Sequence, residues 1–227
     1  MTQVPEDRNA AEREDVALVR EPNLPVIGEA DAPPEVGRLY AHFRENFGRP
    51  HVPGILKCFA THLPLLEHMI GLAQTMLFTE GALGRKNKEM LATFVSARNR
   101  CEYCADSHGF ALRMHGGSPG LLAAAMTCDL HSRSVDSAQA VLLRFAQKVT
   151  EDSQSIVPAD METLRASGWT DLQIAEAIHV TALFACFNRV VNAFGLPSQG
   201  LLAEHLPASK PPVATKPPSG PDLGGPR

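Results

Sequence analysis

The chain has 227 residues, of which 44% are hydrophobic and 20% charged, a composition typical of folded globular proteins rather than disordered or fibrous ones. Its 21 Lys and Arg residues against 25 Asp and Glu give a net charge of -4, without the basic excess that nucleic acid binding requires. The N-terminus is charged where a signal peptide would be apolar, and no uncharged apolar run approaches the roughly 18 residues of a membrane span, so we expect a cytoplasmic protein without nucleic acid or membrane partners.

Composition divides the chain into three parts. Residues 1–33 carry mixed charge and scattered prolines without a sustained period, and we interpret them as a partly ordered lead-in. Residues 34–206 are predicted to form one folded domain. Residues 207–227 contain seven prolines and three glycines, a composition that cannot bury a core, so this tail is predicted to be disordered.

Apolar residues of the central part recur with helical spacing almost everywhere, and no stretch alternates long enough to indicate a strand. The fold class is therefore predicted to be all-α, as a single compact multi-helix domain. The last predicted helix, opened by a capping box at Thr170 and Gln173, is apolar nearly all round and is expected to be central and buried. In chain order, the predicted helices cover residues 36–47, 64–77, 85–98, 101–115, 119–126, 138–149, 158–166 and 171–194.

The cysteines carry the strongest chemical signal. A chain of this length folds without a disulfide framework, and five cysteines without a secretion signal favour redox or metal chemistry for the Cys101-x-x-Cys104 pair. If a helix begins at Cys101, then Cys101, Cys104 and His108 share one face. A helix N-terminus and a nearby imidazolium both lower a thiol pKa, and the helix dipole favours Cys101 as the more acidic thiol. Glu89, on the preceding helix, can hydrogen-bond His108 and relay a proton.

These residues also carry a resemblance to a known family. Their spacing, Glu-x11-Cys-x2-Cys-x3-His, resembles the active-site signature of the alkylhydroperoxidase D-like, peroxidase-related branch of the carboxymuconolactone decarboxylase superfamily. Members closest to the founding hydroperoxidase have a histidine immediately before the second cysteine, where this chain has Tyr103. The likeness covers about residues 34–197 and is clearest at residues 95–104, 145–148 and 188–189.

The resemblance implies an all-helical fold that assembles into trimers or hexamers and reduces hydroperoxides without metal, haem or flavin. It implies that Cys104 attacks the peroxide, that Cys101 is the resolving thiol, and that Glu89 and His108 form the proton relay. The function predicted in this way is that of a thiol-dependent hydroperoxide reductase. We expect no bound cofactor, and a thioredoxin-like or lipoyl-type protein as the reductant.

Two alternatives remain open from the sequence. The first is a binding or sensing protein that uses the cysteine pair as a redox switch or zinc clip, for which Cys128-x-x-His131 supplies a second half-site with zinc-like spacing. The second is a lyase of the carboxymuconolactone decarboxylase type, which is disfavoured because its chemistry makes no use of a dithiol. For the wild-type protein we expect no stoichiometric zinc.

The remaining candidates are interpreted as structural. Cys58 and Cys186 lie among apolar helical residues and are predicted to fill the core. His179 is predicted to be a buried histidine of the last helix. Arg189, if buried there, needs a carboxylate partner, either Glu89 or a group elsewhere in the fold.

Overall fold

The computed structural model describes residues 21–48 and 50–205, and this part of the chain forms ten helices and no strand, which confirms the predicted all-α fold. The predictions for residues 1–20 and 207–227 lie outside the described residues. A π-helical turn, Gln74–Phe78, continues α3, and a 3-10 turn, Ser153–Ser155, follows α7. The helices are α1 (Pro34–Phe47), α2 (Gly54–Phe59), α3 (Leu63–Ala73), α4 (Arg85–Arg98), α5 (Glu102–Met114), α6 (Pro119–Thr127), α7 (Ser137–Asp152), α8 (Pro158–Ala166), α9 (Asp171–Phe194) and α10 (Leu201–His205).

The helix boundaries follow local signals in the sequence. Gly48 ends α1 in the left-handed conformation, with φ 58°, which glycine adopts at little cost. The capping box of Thr170 and Gln173 opens α9, and α4 and α8 have the predicted bounds. The predicted helices do not include α2 and α10, because helices of six and five residues are too short to show a repeating apolar stripe.

The core consists of two apolar clusters that share α9. One cluster packs α4 against α5, α6, α7 and α9. The other joins α1, α2 and α3 to α9 through Leu183 and Phe187. Helix α4 lies at the centre of the first cluster, and all of its residues from Lys88 to Ser96 are buried. This buried run contains two charged residues, Lys88 and Glu89, each of which needs a partner inside the fold.

Helix α9 is less buried than its sequence predicts. His179 and Cys186 lie on an exposed face, so the predictions of a buried His179 and a core Cys186 are wrong. Arg189 is also exposed and donates to the carbonyl oxygen of Ala185 at 2.6 Å, so it is not the partner of Glu89. The packing of neighbouring helices decides which face of α9 is covered, and sequence periodicity does not report it. Cys58 is buried, as predicted.

Helix α9 is also the one described helix that is long and apolar enough to cross a membrane by length and composition, with a mean hydropathy of 1.4. Half of that apolar window is buried inside the fold, where it contacts both clusters. The core helix of a soluble protein has these same properties, and α9 holds this position in a compact domain.

The residues before α1 also contact the helices. The backbone N–H of Asn23 donates to the carbonyl oxygen of Phe194 at 2.7 Å, and the Tyr40 hydroxyl donates to the carbonyl oxygen of Ile27 at 2.8 Å. Ile27 packs against the second cluster. Ordered contacts therefore begin upstream of α1, in a segment without helical periodicity.

Candidate active site

The tight turn between α4 and α5 brings the predicted site residues together. The chain leaves α4 at Arg98, reverses through Asn99 and Arg100, and enters α5 with Cys101 as its N-cap residue. The backbone N–H of Cys101 donates to the carbonyl oxygen of Ser96 at 2.9 Å. Because α5 folds back along α4, Glu89 and His108 face each other across the two helices.

This turn requires an unusual backbone conformation. Arg100 has φ 53°, in the left-handed region, which costs a residue with a Cβ roughly 1–2 kcal/mol. Arg100→Gly is therefore expected to stabilise the fold by about 0.5–1 kcal/mol, after the greater chain entropy of glycine in the unfolded state is deducted. Urea unfolding measures the change. Arg100→Ala is the control, because it removes the same charge and keeps the Cβ, so equal stability of the two variants contradicts the prediction.

The two sulfurs lie side by side inside the protein. Cys101 is 1% exposed and Cys104 is 2% exposed, and both are free thiols. A hydrogen bond between the two side chains lowers the pKa of Cys101, and the same bond together with burial raises the pKa of Cys104. The Asn188 amide also hydrogen-bonds to both sulfurs and favours their anionic forms. Cys101 is thus the more acidic thiol, in the direction that the helix dipole favours.

Glu89 and His108 are in direct contact. The Glu89 side chain is completely buried, and its Oε2 lies 2.7 Å from Nδ1 of His108. Its Oε1 accepts a hydrogen bond from the guanidinium of Arg85, one helical turn earlier on α4. Burial by itself raises the pKa of Glu89, but His108 and Arg85 outweigh burial and lower it, which favours the carboxylate form. The rings of His108 and Phe184 meet nearly at right angles, with 4.5 Å between ring centroids.

A cavity of about 100 Å³ opens beside these groups. Cys104, His108 and Glu89 contribute to its wall, while Cys101 does not. Most of the remaining wall is apolar, which favours an organic ligand over a highly hydrated one. The aromatic side chains of this wall are Phe43, Phe59, Phe78, Tyr103 and Phe187.

The segment after α9 closes one side of the site. We call residues 196–204 the strap. Leu196 packs against the cluster that contains both cysteines, and Gln199 and Leu201 line the cavity. Asp106, on α5, accepts hydrogen bonds from the backbone N–H groups of Leu201 and Leu202, both at 2.9 Å. These bonds hold the strap against the helix that carries the cysteine pair.

The buried charge next to Glu89 belongs to a different contact. Lys88 is 2% exposed, and its Nζ donates to the carbonyl oxygen of Thr79 at 3.1 Å and pairs with Glu176 at 3.4 Å. The Glu176 carboxylate also accepts from the backbone N–H groups of Ala82 and Leu83, at 2.9 and 3.0 Å. This network fastens the loop before α4 to α9 and directs Lys88 away from the cysteine pair.

The zinc-clip alternative is not supported in the described part of the chain. Among residues 21–48 and 50–205, no three His, Cys, Asp or Glu side chains lie together as a metal site requires. The Cys128 sulfur lies 3.9 Å from the carbonyl oxygen of Phe94, and burial raises its pKa. Burial also raises the pKa of Cys58 to about 12, which disfavours the reactive thiolate form.

Comparison with known proteins shows which family the sequence resembles. The profile of the Carboxymuconolactone decarboxylase family matches residues 64–148, which include Glu89, Cys101, Cys104 and His108. Among curated proteins, none matches the sequence.

Several solved structures share the architecture. The alkylhydroperoxidase AhpD core of an uncharacterized peroxidase-related protein from Ralstonia eutropha JMP134 is 25% identical, with a TM-score of 0.72 over 81% of this chain and 96% of that chain. An uncharacterized peroxidase-related protein from Silicibacter sp. TM1040 is 30% identical, with a TM-score of 0.68 over 78% of this chain and 94% of that chain. The debrominase Bmp8 shares the fold at 16% identity, with a TM-score of 0.64 over 78% of this chain and 91% of that chain.

The fold and the site define a class: an all-helical domain with two buried cysteines at the start of a helix, next to a Glu–His pair. The chain belongs to the carboxymuconolactone decarboxylase superfamily, in its alkylhydroperoxidase D-like, peroxidase-related branch.

Proposed function

We propose that this protein is a thiol-dependent hydroperoxide reductase in which Cys104 attacks the peroxide and Cys101 resolves the product. The observation that carries the proposal is the position of Cys104 and His108 on one cavity wall, with Cys101 buried in the same small cluster as Cys104. A thiol that reacts with a peroxide needs access, an acceptor for its proton and a donor for the departing oxygen. The site offers a residue for each of these needs.

The two sulfurs differ in acidity and in their access to the cavity. Cys101 is the stronger acid but does not line the cavity, whereas Cys104 lines it and is hydrogen-bonded to Cys101. We assign the attack to Cys104, because a ligand in the cavity meets this sulfur. The Cys104 proton passes along the hydrogen bond to the Cys101 thiolate, which makes Cys104 the nucleophile at the moment of attack.

The reaction then balances in two steps. The Cys104 thiolate forms a bond to the terminal oxygen of the hydroperoxide, the O–O bond breaks, and the alkoxide takes a proton from the His108 imidazolium to leave as an alcohol. Cys104 is now a sulfenic acid. The Cys101 sulfur bonds to the Cys104 sulfur, and the hydroxide that leaves combines with the Cys101 proton to form water. The disulfide is reduced by an external dithiol, for which we propose a thioredoxin-like or lipoyl-type protein.

The same proposal includes the cellular compartment and the oligomeric state of the protein. A dithiol cycle of this kind suits the cytoplasm, where thiols are kept reduced. Assembly into trimers or hexamers stays a prediction, which analytical ultracentrifugation tests. Decarboxylation of a lactone acid is not proposed, because it has no use for the adjacent thiols of Cys101 and Cys104.

The test is the fate of the thiols when the reduced protein meets a peroxide. One equivalent of cumene hydroperoxide is expected to remove two thiols per chain and to form a Cys101–Cys104 disulfide, detected in a non-reduced digest by mass spectrometry. Stopped-flow rates are expected to be faster with cumene hydroperoxide than with hydrogen peroxide, because the cavity wall is mainly apolar.

The control for this test is Cys186→Ser, which removes the exposed thiol and leaves the cysteine pair intact. The variant is expected to form the same disulfide at the same rate. If Cys101 and Cys104 of the wild-type protein remain reduced while Cys186 is oxidised, the proposal is contradicted. That result favours the interpretation as a binding protein without peroxidase activity.

A further inference from the structure

Glu89 divides its two carboxylate oxygens between two cations. Oε2 faces His108, and Oε1 accepts from Arg85, which lies on the same face of α4 because it is four residues earlier. The Arg85 side chain is only 13% exposed, and its Cζ lies 5.2 Å from the centre of the Phe78 ring. Phe78 is itself part of the cavity wall. Packing on Phe78 thus fixes the guanidinium that Glu89 contacts.

The charge of this trio changes when His108 loses a proton. A buried charge without a partner costs several kcal/mol, by order of magnitude. While His108 is protonated, the Glu89 carboxylate has two cations beside it. Once His108 has donated its proton, Arg85 is the cation that remains in contact with Glu89. The proton can therefore leave His108 without exposing an uncompensated charge in the core.

Among the described residues, few other ionisable groups lie close to Glu89 and His108. Helix α4 also carries Lys88, whose ammonium is held by Glu176 on α9. From α9, the ring that contacts His108 is Phe184, and Phe187 lines the cavity. From the π-helical turn the neighbours are Leu77 and Phe78, which carry no charge. The ionisable groups of α5 that share the site are Cys101, Tyr103 and Cys104.

We propose that Arg85 is a positioning residue of the site, which holds one oxygen of Glu89 and supplies the positive charge that allows His108 to release its proton. This assignment of Arg85 rests on the proposed function in one respect, which is that the proton released by His108 goes to the departing alkoxide. The electrostatic part is a property of Arg85, Glu89 and His108 in the resting protein.

The direction of the effect follows from the charges. Removing the Arg85 charge leaves Glu89 with His108 as its remaining cationic neighbour, so the protonated imidazole is stabilised. The titration of the Glu89–His108 pair is then expected to move to higher pH by roughly one unit, the size of effect that one nearby charge produces. His108 becomes a weaker acid, and peroxide reduction is expected to slow by roughly 10-fold.

The experiment compares Arg85→Gln with Arg85→Lys, which keeps the charge, and with Lys86→Gln, which removes an exposed cation from the next position of α4. The ring C–H resonances of His108 are followed by NMR against pH in the reduced protein, and they are assigned by their absence in His108→Gln. The pH dependence of the reaction with cumene hydroperoxide is measured in parallel. Arg85→Met, which keeps the contact with Phe78, makes the same test where Arg85→Gln does not fold.

The expected result is a shift to higher pH in Arg85→Gln, with little or no shift in Arg85→Lys and Lys86→Gln. A purely structural role lowers the rate and leaves both pH dependences in place, and this outcome overturns the proposal. An equal shift in Lys86→Gln also overturns it. If the wild-type protein does not reduce peroxides but the NMR shift is present, the proposed function fails and the assignment of Arg85 stands.

Discussion

Cys104→Ser is expected to reduce peroxide consumption to the uncatalysed rate, the largest effect that any single substitution in this chain should have. The reason is chemical, because the nucleophile is a thiolate and a serine hydroxyl is not ionised near neutral pH. Cys101→Ser is expected to behave differently. It keeps the sulfur on the cavity wall, so one equivalent of peroxide should be consumed and a sulfenic acid should remain at Cys104.

The measurement is a single-turnover stopped-flow experiment followed by trapping of the sulfenic acid with dimedone and mass spectrometry. Cys58→Ser is an unsuitable control because Cys58 is buried in the core, whereas Cys186→Ser changes an exposed thiol and should leave the rate unchanged. The reverse pattern, with a trapped sulfenic acid at Cys101 in Cys104→Ser, reassigns the nucleophile to the more acidic thiol.

Glu89→Gln and His108→Gln are each expected to slow peroxide reduction by about 10- to 1000-fold, the range usual for one general acid–base group. The two side chains are in contact at 2.7 Å and serve the same proton transfer, so their effects should not multiply. The double variant is expected to be about as slow as the slower single variant. Rates with cumene hydroperoxide, measured in all three variants, give the comparison.

Two results contradict this second prediction. Wild-type rates in both single variants show that the pair takes no part in the reaction. Multiplicative losses in the double variant show that Glu89 and His108 act in separate steps. Because Glu89 is completely buried and bonded to Arg85, thermal unfolding of Glu89→Gln is recorded alongside the rates, so that loss of fold is separated from loss of proton transfer.

The sequence predicted most of the helical framework, because apolar periodicity and caps are local signals. It also predicted that Cys101, Cys104 and His108 would share a face, since helix geometry fixes the positions of residues three and seven apart. The contact between Glu89 and His108 depends on the turn at Asn99 and Arg100. The spacing placed the two residues on adjacent helices but did not determine the distance between them.

Arg85 was missed although its signal was present. An arginine four residues before a glutamate on one helix is a recognisable pair, but on an exposed helix it would contribute only a few tenths of a kcal/mol. Its role here follows from the burial of Glu89, which depends on the packing of α4 between α5 and α9. The exposed side chains of His179 and Cys186 were mispredicted for the related reason that tertiary packing decides which face of α9 is covered.

The strap affects the two halves of the proposed catalytic cycle differently, because the peroxide and the protein reductant differ greatly in size. The cavity has a volume of about 100 Å³, so a folded dithiol protein is far too large to enter it, yet such a reductant must react with cysteines that are at most 2% exposed. Reduction of the proposed Cys101–Cys104 disulfide therefore requires either a thin reducing group that enters the cavity or a displacement of the strap, in which Leu196 packs against the cysteine cluster and Gln199 lines the cavity. In the proposed cycle, a change that stiffens the strap is therefore expected to slow reduction of the disulfide more than its formation.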